Sequence, residues 1–271
     1  IVTGWVDLEV LYFDLLLKIK NSSHYSVESF DKQWSFLKKE FIQYLKLTLE
    51  QYYSCSFVSD NLEEFKNQYV FKYIFDGYIY GDENTKPVFD KYYYLNFNYT
   101  DLIEKKYRWK NNQIHGSLES NVDFSDFLFG YGNTKNKYYN SLKDERNKEY
   151  SKNLKDNYYS NKNNRIELFD WIKDSKYEIK IIGHSCGESD RTILNRLLSH
   201  DNCLSIKIYS RDKVGFEEIR DNLWKFEKFE DCISDKIIPY NQLNNNIISQ
   251  FNIKPKIPVI NNSYIESCIV E

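Results

Sequence analysis

The sequence predicts an α/β chain in which a parallel sheet is flanked by helices, with a helical elaboration on its N-terminal side. Three observations carry this. Between residues 166 and 251, short β-rich apolar runs alternate with helical periodicities, and strands that alternate with helices pair in parallel. The run Lys180-Ile181-Ile182-Gly183-His184-Ser185-Cys186-Gly187-Glu188-Ser189-Asp190 leads an apolar strand through a small-residue turn into a helix start, where open sheets of this kind hold their ligands. Near the N-terminus, apolar residues recur every three or four positions, the period of an amphipathic helix.

Taken in order, Trp5, Leu8, Tyr12, Leu15, Leu16 and Ile19 predict a first helix, broken by Asn21-Ser22-Ser23. Phe30, Trp34, Leu37, Phe41, Leu45 and Leu49 predict a second, antiparallel to the first in a helical hairpin. Residues 70–80 are β-rich and end in the turn signal 81–84. A buried strand is expected over 92–97, closed by Asn98-Tyr99-Thr100-Asp101, then a helix over 102–107. Residues 113–116 and 127–132 read as two more strands or strand ends. The stretch 133–164, rich in Lys, Asn, Tyr and Glu and poor in aliphatic residues, reads as exposed helix and loop. Helices then follow over 166–172, 192–198, 216–226 and 243–251, with strands over 179–182, 204–209 and 237–238 between them. Residues 1–251 therefore form a single α/β domain, its helical elaboration at about 5–53 and its sheet-bearing core at about 70–251. Residues 252–271 are an extended C-terminal tail, since Pro255 and Pro258 push their predecessors out of the α region.

A net charge of −3 supplies no global basic field for nucleic acid, and the Lys residues of 135–155 are interleaved with acids and Asn. The five Cys form no Cys-x-x-Cys pair and are odd in number. That argues against a disulfide framework or a structural zinc, so no metal is expected and a reducing cytoplasm fits. No apolar run approaches the roughly 20 residues of a membrane helix, so no membrane partner is expected. The chain has no Met and begins with Ile1; either an N-terminal segment or the methionines themselves stand outside the recorded sequence.

The turn at 183–187 supports two readings. Gly183-His184-Ser185-Cys186-Gly187 fits the Gly-x-Ser-x-Gly elbow of a Ser-dependent α/β-hydrolase, with Ser185 as nucleophile. That elbow needs an acid and then a His downstream, and only His200 follows, about one helix later. The turn also fits the phosphate side of a nucleotide-binding sheet. Four polar turns, at Asn98-Tyr99-Thr100, His115-Gly116, Gly130-Tyr131-Gly132 and Gly183-His184-Ser185, stand at successive strand ends, and in a parallel sheet these ends converge on one crevice.

This ordered set resembles the AbiH family of bacterial phage abortive-infection proteins. The recurring pieces of that family are a Trp-x-x-Leu-Glu helix, Phe-Asn-Tyr-Thr, Ile-His-Gly and Gly-His-Ser-x-Gly-x-Ser-Asp, which stand here at 5–9, 97–100, 114–116 and 183–190. The likeness runs from about residue 5 to about residue 250. The family in turn is similar to the sirtuin-like, Rossmann-like NAD-binding fold, whose Phe-Gly and Gly-x-Ser turns match Phe129-Gly130 and 183–185. The resemblance implies an antiviral abortive-infection protein and a candidate NAD glycohydrolase, with NAD or a related nucleotide as its ligand. It further implies Asn98 and His115 as catalytic residues, Asn98 placing the ribose or an attacking water and His115 acting as general base. Thr100, Gly116, Gly130, Gly183, His184, Ser185 and Asp190 would line the nucleotide site, Asp190 either bonding a ribose hydroxyl or capping the following helix. Family members open with a Gly-Asn-Gly-Phe-Asp type loop for the pyrophosphate, and no such run precedes Trp5. Thr100 stands where sirtuins carry an Asp, and their Cys-based zinc module is missing, which argues against lysine deacetylation. A non-catalytic module that senses a nucleotide, or a phage-derived trigger or partner protein, is the alternative. A homo-oligomer is expected.

Overall fold

In the computed structural model the described residues are 5–22, 24–54, 92–101, 104, 110–118, 127–160, 163–210, 212–226 and 228–240. Two long helices open the chain, α1 (Trp5–Lys20) and α2 (Val27–Ser54). They pack through the stripes that periodicity selects: Tyr12, Phe13, Leu16 and Ile19 from α1 are buried with Trp34, Phe41 and Ile42 from α2. Tyr12 lies 4.5 Å from Trp34 between ring centroids and 5.5 Å from Phe30. The start of α2 is fixed by Ser26, whose hydroxyl accepts the Ser29 N–H at 3.3 Å, satisfying one of the donors a helix start leaves open.

Two short strands follow, β1 (Tyr94–Asn96) and β2 (Asn111–Gln113), paired in parallel with Leu95 opposite Asn112. Asn96 ends β1 by bending the chain: its Oδ1 accepts the Asn98 N–H at 2.9 Å and its Nδ2 donates to the Thr100 carbonyl at 3.1 Å. Residues 127–132, read as a strand, make no ladder. They contribute only a parallel bridge between Tyr131 and Leu154, with single bonds from Leu128 N–H to the His115 carbonyl and from Lys155 N–H to the Tyr131 carbonyl.

The stretch 133–160 departs most from its reading as exposed helix and loop. It holds α3 (Tyr139–Lys143), a 3₁₀ turn over Lys148–Tyr150 and α4 (Lys155–Ser160). Tyr139, Leu142, Leu154, Lys155 and Tyr159 are almost wholly buried. The polar surroundings that suggest exposure are used inward instead. Asp31 on α2 takes Lys152 Nζ at 2.7 Å and Asn153 Nδ2 at 3.1 Å, and the Tyr139 hydroxyl donates to Asp156.

Beyond it lie α5 (Asn163–Asp174), β3 (Tyr177–Ile182), a 3₁₀ turn over Glu188–Asp190, α6 (Arg191–Leu198), β4 (Cys203–Tyr209) and α7 (Lys213–Trp224). β3 and β4 pair in parallel with Ile181 opposite Ile208. That pairing is the consequence expected of a strand, helix, strand sequence. Ile237, expected in a last strand, makes a single parallel bridge to Ile206. The described residues thus give two two-stranded parallel sheets in a mixed α/β fold. Length and composition separate the pairs. β1 and β2 are three residues each and carry Asn96, Asn111 and Asn112, whose side chains hydrogen-bond instead of packing, whereas Ile179, Ile181, Ile206 and Ile208 line the longer β3–β4 ladder. The readings for 70–80, for 102–107 apart from residue 104, for 243–251 and for the tail 252–271 lie outside the described residues.

The core has two parts. One gathers α1, α2, Leu118 and residues 127–154 around Phe13, Trp34, Phe129 and Tyr131; the other gathers α5, β3, α6, β4 and α7 around Ile172, Ile193, Leu198, Ile206 and Leu223. α1 also packs against the Glu188–Asp190 turn, so the two parts meet there.

Candidate functional site

Where the two parts meet, the chain buries a cluster of charge. Lys155, the first residue of α4, is fully enclosed. Its Nζ lies 3.0 Å from Glu9 on α1 and 2.7 Å from Asp190 Oδ1 at the start of α6. Glu9 also accepts the Gly130 N–H at 3.2 Å. Asp190 Oδ1 lies 3.0 Å from His115 Nε2, and its Oδ2 lies 3.5 Å from His184 Nε2. The His115 nitrogen is also 3.0 Å from the Tyr159 hydroxyl.

Glycines let these elements approach so closely. A Cβ on Gly130 would sit 1.9 Å from the Asn153 carbonyl oxygen, and one on Gly132 would sit 2.8 Å from both Lys155 Cβ and the Ser189 carbonyl oxygen. The turn that carries Ser189 and Asp190 is held down by the Thr192 N–H and hydroxyl, both donating to the Gly132 carbonyl at 3.0 and 2.9 Å. Asp190 occupies the position before α6 but makes no capping bond with its side chain. Its carboxylate is turned inward to the cations.

The charges settle by competition. Burial resists ionisation of Asp190, but the Lys155 ammonium, with His115 and His184 beyond it, overcomes this and holds the Asp190 carboxyl well below the usual range. Burial raises the pKa of Glu9, with Lys155 only partly opposing it. Burial also works against the Lys155 charge, and Asp190 and Glu9 together outweigh it, so its pKa is raised. Desolvation first, then the nearby carboxylates, push the phenols of Tyr99 and Tyr159 well above their ordinary range. Such a buried group of ions is strongly destabilised by loss of one partner, because the other is left uncompensated.

Hydrogen placement on the two imidazoles follows from their partners. An ionised carboxylate only accepts, so His115 Nε2 carries the hydrogen that faces Asp190, and the lone pair of the neutral ring lies on Nδ1. His184 Nδ1 accepts the Cys186 N–H at 2.9 Å, so its hydrogen is on Nε2, facing Asp190. Phe97 packs against both rings, its centroid 5.4 Å from that of His115 and 4.3 Å from that of His184.

The sequence-derived candidates divide accordingly. His115, His184 and Asp190 come together directly, and Gly130 joins them through Glu9. Gly116 follows His115 with φ 87°, and Gly183 precedes His184 with φ 67°, both in the left-handed region that glycine adopts without strain. Thr100 contributes its carbonyl to the turn after β1, where it accepts from Asn96 and Gln113 side chains. Asn98 is exposed on that same turn, and Ser185 is exposed with its carbonyl accepting from Asn222 at 3.0 Å. Both nitrogens of His184 face Cys186 and Asp190, and neither faces Ser185. Burial pushes the Cys186 thiol up to about 12, so it is not a thiolate at neutral pH.

Lys155 and Tyr159 escape the motif reading, and Glu9, which closes the Trp-x-x-Leu-Glu run at 5–9, is given no role by it. Glu9 had a signal: it lies on the apolar stripe of α1, three residues before Tyr12 and seven before Leu16, where a carboxylate needs a buried partner. Lys155 carried none, being one Lys among many in a polar stretch. Among the described residues no group of three His, Cys, Asp or Glu side chains is arranged to hold a metal ion, and no helix is long and apolar enough to cross a membrane.

Fold and site define an α/β protein with a buried acid–lysine–histidine cluster between a helical part and a strand–helix part. The family model described as bacteriophage abortive infection AbiH matches residues 2–211. The chain belongs to the AbiH family, whose part in biology is abortive infection by bacteriophage. No curated protein and no solved structure matches the chain.

Proposed function

We propose that this protein is a nucleotide-cleaving effector of phage defence acting in the cytoplasm, with NAD as substrate and His115 as general base. The observation that supports the reading is the buried Asp190–His115 pair, tied through Lys155 to Glu9 at the carboxyl ends of β2 and β3. Asp190 fixes the tautomer and orientation of the imidazole, which is what a base-orienting carboxylate does. In the reaction, a water oxygen bonds to the ribose C1′ while the bond from C1′ to the nicotinamide nitrogen breaks. Nicotinamide leaves as a neutral molecule, and the proton released from water passes to His115 Nδ1. Asn98, on the turn after β1, positions the water or the ribose. Thr100, Gly116, Gly183, His184 and Ser185 line the nucleotide, and Gly130 and Asp190 support it through the cluster. The sirtuin-like sheet and homo-oligomeric assembly belong to this proposal.

A second reading has its own observation. His115 is only 3% exposed and packed by Tyr159 and Phe97, an enclosure that suits a rigid module sensing a nucleotide or phage component and passing the signal to a partner protein. Incubation of purified protein with NAD separates the two. Nicotinamide release that His115→Ala abolishes, while NAD binding persists, supports the enzyme. Saturable NAD binding without any release supports the sensor and defeats the enzyme. The serine-hydrolase alternative predicts turnover of an activated ester that Ser185→Ala removes, and an unchanged rate ends it.

A further inference from the structure

At the opposite ends of β1 and β2 from His115, the chain forms a cleft of about 690 Å³ lined by Tyr92, Tyr93, Trp171, Asn112, Lys110 and acidic residues of α5. The acids are Glu167, Asp170 and Asp174, spaced three and four residues apart so that one helix face presents them together. Lys110 Nζ lies 3.6 Å from Glu167 Oε1, which leaves the lining with an excess of negative charge. The exposed Lys173 lies 3.6 Å from Asp170, and a pair that open to solvent binds weakly. The rings of Tyr93 and Trp171 lie 5.1 Å apart between centroids and are inclined at 37°, forming an aromatic wall beside the carboxylates.

The informative atom is Asn112 Oδ1. Asn112 is 6% exposed, and its Nδ2 donates to the Tyr93 hydroxyl at 2.5 Å and to the Asn164 carbonyl at 2.6 Å. These bonds fix which end of the amide is oxygen, and that oxygen has no hydrogen-bond partner. The neighbouring Asn111 Nδ2 is likewise buried and unpartnered. A buried acceptor without a donor is costly and calls for explanation.

We propose that this cleft binds a small free organic cation bearing N–H donors, an aliphatic ammonium of the diamine or polyamine class. The carboxylates of Glu167, Asp170 and Asp174 neutralise it, the faces of Tyr93 and Trp171 attract its charge, and Asn112 Oδ1 accepts one N–H. The same negative excess repels phosphate-bearing ligands, so the cleft differs in chemistry as well as in position from the site around His115. The proposal stands independently of nucleotide cleavage.

Calorimetric titration of the full chain with spermidine at low ionic strength tests it. One saturable site per chain is expected. The affinity should fall at least tenfold in the double variant Asp170→Asn, Asp174→Asn, whose exposed positions leave the unfolding midpoint unchanged. Trp171→Ala should lose a similar factor while Trp171→Phe keeps most of the binding, which separates ring contact from helix packing. Absence of saturation, or equal affinity in the Asp double variant, overturns the site. A tighter fit for Nα-acetyl-lysine N-methylamide, a mimic of a protein-borne lysine, overturns the assignment to a free amine. Binding of adenosine monophosphate in preference to spermidine overturns the cation assignment.

Discussion

The helical part and the strand–helix part solve the same packing problem with different side chains. More than half of the buried apolar positions around α1 and α2 are aromatic, with Phe13 stacked on Tyr131 at 4.1 Å and Trp34 on Phe129 at 4.9 Å. The part built on β3 and β4 is mostly Ile and Leu. The aromatic side uses directional bonds as well as area: Trp34 Nε1–H donates to the Phe129 carbonyl at 3.1 Å, and Tyr131 donates to Glu188. The aliphatic side relies on ladder hydrogen bonds and non-directional burial. Directional packing fixes the place of Gly130 and Gly132, and through them the place of Glu9 and Lys155. The strand ends of the other side then supply Asp190 and His184. The cluster therefore needs both parts, one for orientation and one for charge.

The largest predicted effect breaks this division at the cluster itself. Lys155→Ala leaves Glu9 and Asp190 facing each other without their cation, and should cost about 3–5 kcal/mol of stability, as loss of one buried ion partner does; urea unfolding followed by circular dichroism reads it. Next, Gly130→Ala drives a Cβ onto the Asn153 carbonyl. It should cost roughly 1–3 kcal/mol, and a shift of less than a few tenths would show that the approach of the two backbones is not fixed. Trp34→Phe keeps an aromatic side chain but leaves the Phe129 carbonyl without its indole donor, and should cost on the order of 1–2 kcal/mol. Ile206→Val, on the aliphatic side, removes one methylene from a fully buried position and should cost about 1 kcal/mol. If Ile206→Val proved the more damaging of these last two, the contrast between directional and non-directional packing would fail.

Acid sharpens the same comparison. Asp190 holds its carboxyl well below 3.8, so the folded chain binds that proton less readily than the unfolded chain. Its contribution is complete above the unfolded value and is lost as pH falls through the folded one. Glu9 has the opposite sign: its pKa is raised above 4.5, so its contribution is present at low pH and declines as pH rises through the folded value. Unfolding midpoints measured from pH 5 downward should fall steeply below about pH 4 in the parent. They should fall less steeply in Asp190→Asn, which starts from a lower plateau. Equal slopes would remove Asp190 as the source.

Much of the fold can be read from the residues. Tyr12, Leu16, Trp34 and Phe41 recur at helical spacing and face the core, and Ile179, Ile181, Ile206 and Ile208 make a strand pair by their alternation. The motif residues His115, His184 and Asp190 also meet, since strand ends in parallel pairs bring their turns to one side. What could not be read depends on partners far apart in sequence. Lys155 finds Glu9 across 146 residues and Asp190 across 35, and no local pattern distinguishes it from Lys152 or Lys148. The short length of β1 was hidden for a related reason. Tyr94-Leu95-Asn96 looks like part of a longer apolar strand, and only the bonds of Asn96 to Asn98 and Thr100 show why the extended chain stops there.

One property of the first helix reaches across the molecule. Glu9 is its sole acid among the described residues to touch Lys155, and it does so at 3.0 Å. Pulling that helix off its bed, by proteolysis, by a competing protein or by force, would leave Asp190 alone to balance the enclosed ammonium and the Gly130 N–H without its acceptor. Relief would come by water flooding the histidines or by α4 letting go of its neighbours. Detachment of the N-terminal segment and disruption of the imidazole environment are accordingly a single event, so histidine NMR resonances would report the loss of a helix that bears none of those rings.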